Sequence, residues 1–157
     1  MALAALLLAF PAAAQMRPVQ PARPASVPDV APVLEKVCLP VAGGQPVAAG
    51  IAAGKSMGFA VAATHNDLAT LEKGGQVLNL GPGHCLLTLT DARAATFPHV
   101  EQELRRWLPR LGRYWAGGME ADAAGLQSRK FRAGGHTVLA WEMVDEDARQ
   151  VNVDIGK

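Results

Sequence analysis

The chain has 157 residues, half of them hydrophobic, with fifteen basic against fourteen acidic side chains and a formal net charge of +1 at pH 7. A balance so close to neutral leaves no electrostatic footprint for nucleic acid or for an anionic membrane surface. Aromatic residues make up only 5%, so the apolar payload comes from Leu, Val and three Trp, enough for one core of ordinary size.

The chain opens on an apolar run from Met1 that ends in the small-residue site Ala12-Ala13-Ala14. That is the pattern of a secretory signal peptide, residues 1–14, cleaved after Ala14. The run is shorter than the roughly 17 to 25 apolar residues that a spanning helix needs, and no later segment is a better transmembrane candidate. The first basic residue is Arg17, so the positive start typical of such peptides would require an upstream start codon. No cysteine follows closely enough to carry a lipid. The expectation is an exported protein, periplasmic or secreted. Residues 15–28 hold Pro18, Pro21, Pro24 and Pro28, a proline-rich linker with the three-residue period of polyproline II. Residues 29–157 then form a single domain.

Within it, a first helix is expected to start with Asp29 as N-cap, carry the stripe Val30, Val33, Leu34, Val37 and Cys38, and end at Pro40 and Gly43-Gly44. A second helix, from about Pro46 to Met57, is built from residues so small that another backbone can pack closely on it. Two strands, Val77 to Leu80 and Cys85 to Thr90, flank the turn Gly81-Pro82-Gly83. A third helix spans Phe97 to Leu111, its solvent face paired as Glu101 with Arg105 and Glu103 with Arg106. Four more strands follow: Arg113 to Ala116, Gln127 to Arg132, His136 to Val144 and Arg149 to Ile155. The last two form a hairpin across Asp145-Glu146-Asp147. Thr137, Leu139, Trp141 and Met143 share one face, as do Val151, Val153 and Ile155. The order ααββαββββ predicts an α+β fold with an antiparallel sheet of about five to six strands and helices on one face.

Few constellations here carry chemistry. Cys38 and Cys85, both on core-facing stripes of a chain bound for an oxidising compartment, are expected to form a disulfide. His84 adjoins Cys85, but strand neighbours point to opposite faces, which argues against a catalytic thiol pair. The run Ala49 to Ser56 ends in Gly-Lys-Ser like a phosphate loop but has Ala49 where that motif needs glycine, so no nucleotide cofactor is expected. None of His65, His84, His99 and His136 lies in a spaced metal motif, and no metal is expected, although His84 and His136 form a weak metal-binding alternative. His65-Asn66-Asp67 offers an acid–base pair, His65 with Asp67, for a small hydrolase. The competing reading is that Thr64, Asn66 or Asp67 caps a short helix over Leu68 to Lys73. Arg129-Lys130-Phe131-Arg132 splits its charges between two faces and suits a charged edge strand.

Val37-Cys38-Leu39-Pro40 with Gly43-Gly44, then Gly58-Phe59, then Gly83-His84-Cys85 resembles a loose group of small exported bacterial proteins of no assigned activity. The resemblance covers Val37 to Leu89 and implies export and the Cys38–Cys85 bridge. It implies no substrate, cofactor or catalytic residue. The function expected from the sequence is a non-catalytic exported module, binding or structural, whose partner is an envelope protein or a small ligand. A hydrolase built on His65 and Asp67 is the alternative.

Overall fold

The structure is a computed structural model and describes residues 30–90, 96–145 and 148–157. The segments expected to be a signal peptide and a proline-rich linker, Asp29 and the tip of the last hairpin lie outside the described residues.

The first helical stretch, α1, covers residues 30–42: α-helical at Val30–Val33, π-helical at Leu34–Cys38 and α-helical again at Leu39–Ala42. The expected end at Gly43-Gly44 holds, with Gly43 as the C-cap, but Pro40 lies inside the helix and does not stop it. A proline inside a helix has no N–H to donate and crowds the carbonyl four residues back. The widened turn relieves this, with the Leu39 N–H reaching back to the Leu34 carbonyl, and the helix runs on to Ala42. Gly44, at φ +107°, then turns the chain away in a conformation that favours glycine. At the other end, the Val30 N–H donates to Glu103 Oε2 at 3.1 Å. Glu103 thus satisfies one orphan donor of the helix N-terminus and faces its positive dipole end, rather than pairing with Arg106 as the spacing suggested.

Helix α2, Val47–Ser56, places Gly50 against Val41 and Leu80, and Gly54 against Leu71, so tightly that a Cβ at either would fall within 3.0 Å of a neighbouring side chain. Helix α3, Phe97–Trp107, continues as a 3-10 turn over Leu108–Leu111, where Pro109 falls. Phe97, Val100, Leu104 and Trp107 are its buried face.

Nine strands occur among the described residues: β1 (Ala60–His65), β2 (Leu68–Lys73), β3 (Gln76–Gly81), β4 (His84–Leu89), β5 (Tyr114–Ala116), β6 (Glu120–Ala121), β7 (Gln127–Ala133), β8 (His136–Asp145) and β9 (Ala148–Gly156). The α+β class and the antiparallel sheet stand, but the expected count and order are corrected. Leu68 to Lys73 is a strand, not a capped helix, and pairs with β1 across a two-residue turn in which Asn66 takes φ +52°. The sheet order is β1-β2-β3-β4-β9-β8-β7-β5, with β6 also on β7, and every pairing is antiparallel. The order has an internal symmetry. A helix followed by a four-stranded meander occurs twice, α2 with β1 to β4 and α3 with β5, β7, β8 and β9, and the halves join where β4 meets β9.

Register assigns the two faces of this sheet. Leu71, Leu78, Leu87, Val153, Ala140 and Arg129 lie in one cross-strand row. With Cys85, Leu89, Phe131, Val138, Val151 and Ile155, the apolar members join one buried cluster with the helices. The alternate positions face the other way: Thr70, Asn79, Leu86, Asp154, Leu139 and Lys130, with Thr88, Asn152, Trp141 and Ser128 in the row beside them. All three helices pack into the first cluster. The second face is open.

Candidate functional site

A disulfide fixes α1 on the sheet. Cys38 and Cys85 are fully buried and bonded at 2.04 Å, with Cα atoms 5.1 Å apart. The π-helical turn brings Cys38 to the inner face of β4, where alternation places Cys85. With both sulfurs paired, neither is a nucleophile. His84 lies on the opposite face, its Nδ1 3.0 Å from Asp154 Oδ1. The Gly54-Lys55-Ser56 run is the last turn of α2, not a loop between a strand and a helix, and the Ser56 hydroxyl is spent on the Ala53 carbonyl.

The histidines do not converge. His65 ends the exposed edge strand β1, while Asp67 lies in the turn beyond it, and no hydrogen bond or ion pair joins the two among the described residues. Asp67, with Thr64 and Asn66, borders a cleft of about 480 Å³ against the start of α2 that His65 does not line. His99 lies in the first turn of α3, 3.6 Å from Glu103. His84 and His136 are separated by β9 and lie on opposite faces: His84 is in register with Gly156 and Thr137, and His136 is Thr137's neighbour. Among the described residues no group of three or more His, Cys, Asp or Glu is placed to hold a metal ion.

The open face instead carries large apolar side chains. Trp115 is 52% exposed, and Leu139 and Met143 are each 38% exposed, with Leu86 and Trp141 half-buried beside them. Both faces of β8 are therefore apolar, Val138 and Ala140 inward and Leu139, Trp141 and Met143 outward. A protein with one core needs only one such face, and the β8 stripe Leu139, Trp141 and Met143, with Trp115 beyond the exposed Lys130 and Arg132 of β7, leaves large apolar side chains in water, the mark of an interaction site.

A polar seam crosses this surface. The Thr88 hydroxyl donates to Asn152 Oδ1 at 2.7 Å, and Thr70 donates to Asn79 at 2.9 Å. Asn152 is almost fully buried among its taller neighbours. Burial pushes the Asp154 carboxyl above its usual range, while His84 pulls it back. An acid whose pKa is raised on folding binds its proton more tightly in the folded state, so its ionisation subtracts stability as pH rises. Asp154→Asn is therefore expected to match the parent in acid and to gain melting temperature over it as pH climbs through and above the carboxylate range. Thermal melts across that range check this, and a pH-independent difference would contradict it.

At one end of the face, where the β7–β8 hairpin meets β5, lies a cleft of about 710 Å³. The cross-strand row Trp115, Arg132, Thr137 leads into it, and the Arg132 guanidinium lies 6.0 Å from the centre of the Trp115 ring. Arg113 and His136 complete its rim. Arg132 belongs to the basic run expected on an edge strand, which is corrected here. Strand β7 is interior, flanked by β8 and by β5 with β6, and its charges divide by face. Arg129 points inward to Glu101 at 2.7 Å, and Glu101 also holds Arg105. Sequence reasoning did not find this cleft, although the two apolar faces of β8 were a readable signal of an exposed working surface.

No family model, curated protein or solved structure matches the chain.

Proposed function

We infer that this is an exported, non-catalytic binding module that engages its partner through the open face of the sheet. The observation that carries the reading is the unpartnered apolar surface of Trp115, Leu139, Trp141 and Met143 opposite a core that is already complete. Export is supported by the signal-like start and by a buried disulfide, which persists in oxidising compartments. No described helix is long and apolar enough to cross a membrane. A small hydrolase would require His65 and Asp67 to share a concave site, whereas only Asp67 borders one.

The test is an oxidation footprint of the full chain. Mild peroxide converts accessible methionines to sulfoxides, and Met143 and Met119 are exposed on or beside this face, while Met57 packs on the helix side. Addition of an envelope extract from the native host is expected to slow oxidation of Met143 and Met119 and to leave Met57 unchanged. Equal rates with and without extract would overturn the reading.

A further inference from the structure

The cleft between β5 and the β7–β8 hairpin has a chemistry distinct from the apolar surface it adjoins. We propose that it binds a small organic anion, a carboxylate or phosphate group carried on a flat apolar body, and this deepens the open-face reading on which it rests. Arg113 and Arg132 both line the cleft, and neither guanidinium has a carboxylate partner among the described residues. Of the other described arginines, Arg105 and Arg129 are spent on Glu101 and Arg149 on Glu142, while Arg106 and Arg110 carry no ion pair but share their groove with the carboxylate of Glu103. Two unpaired guanidiniums beside one cleft without a lining carboxylate form a site for a negative group, and the planar fork of arginine matches carboxylate and phosphate oxygens two at a time.

The rest of the lining supplies the body's contacts. Trp115 offers a half-exposed ring, and Arg132 lies over that ring, which restricts its side chain before any ligand arrives. Thr137, next to Arg132 across the strand pair, brings a hydroxyl. His136, from the alternate row with Tyr114 and Ala133, closes the cleft at its other rim. The one carboxylate in the adjoining rows of this face, Asp154, sits against His84 two strands away from Arg132 and does not compete. A volume of about 710 Å³ suits a ligand of small-molecule size rather than a folded partner.

The test follows the three tryptophan indole N–H signals of the nitrogen-15-labelled full chain during titration with benzoate, phenyl phosphate, benzamide and inorganic phosphate. Benzoate or phenyl phosphate is expected to shift the Trp115 signal saturably at millimolar concentration or below, with Trp107 unmoved, and the tighter of the two identifies the anionic group. Benzamide, which has the ring without the charge, and inorganic phosphate, which has the charge without the ring, are expected to bind at least about tenfold more weakly. Arg132→Gln is expected to weaken the aromatic anion about tenfold, and Arg113→Gln to do the same, each with an unchanged melting temperature. The proposal is overturned if neither aromatic anion gives a saturable shift, if benzamide or inorganic phosphate binds as well, or if both arginine variants bind like the parent. Failure here with Met143 still protected by envelope extract removes the anion and leaves the open-face reading intact, whereas loss of that protection removes the reading itself.

Discussion

Cys38→Ala is expected to lower the free energy of unfolding by about 2 to 5 kcal/mol. The bridge spans a sequence separation of 47 residues, and closing a loop of that size removes denatured-state entropy worth roughly 4 kcal/mol on the chain-entropy account. A folded-state consequence adds to this. Cys38 and Cys85 are both fully buried, so the variant leaves a lone thiol where a covalent link had held α1 against β4. Denaturant titration of the parent, the variant and the reduced parent measures the effect, and reduction is expected to reproduce the variant's loss. Because the sulfurs are paired beneath α1, neither should react with a thiol reagent in the native protein. Rapid labelling of both before any denaturant is added would contradict the bridge and would weaken the case for export with it.

Phe131→Ala is expected to cost about 3 to 5 kcal/mol, the usual range for deleting a buried aromatic ring. Phe131 is fully buried on β7, in register with Val138 and Ala116. Its neighbours Lys130 and Arg132 are exposed and face the other way, so Lys130→Ala and Arg132→Ala should each change stability by no more than about 0.5 kcal/mol. This alternation is an energetic statement of the two-faced sheet. If Lys130→Ala proved as damaging as Phe131→Ala, the face assigned as open would be packed against something, and the binding surface would be lost.

The elements legible in the sequence were those whose burial follows a clean period. The α3 stripe and the inward residues Cys85, Leu87 and Leu89 obey 3.6-residue and two-residue repeats, and each is buried as expected. The disulfide was legible for the same reason, since both cysteines fell on such stripes. Strands β1 and β2 were not. All six residues of β1 are exposed, so no buried face stamped a period on Ala60 to His65, and β2 draws on Leu, Ala, Glu and Lys, good helix formers that tertiary pairing overrides. The continuation of α1 past Pro40 depended on a π-helical turn that no residue type announces. The cleft was hidden because it is assembled across strands. Trp115 and Arg132 are seventeen positions apart in the sequence and meet only through the β5–β7 register.

The helices cover one face of the sheet and leave the other to solvent. The three tryptophans report on it together. Trp107 is buried under α3 at 4% exposure, Trp141 is half-buried on the open face, and Trp115 is 52% exposed beside the cleft. Protein labelled with 5-fluorotryptophan gives one fluorine resonance per residue, and a soluble paramagnetic chelate broadens each according to its access to solvent. The expected order of broadening in the isolated protein is Trp115 first, Trp141 next and Trp107 last. Broadening of Trp107 ahead of Trp115, or shielding of Trp115 and Trp141 to the level of Trp107, would contradict the open face and everything built on it.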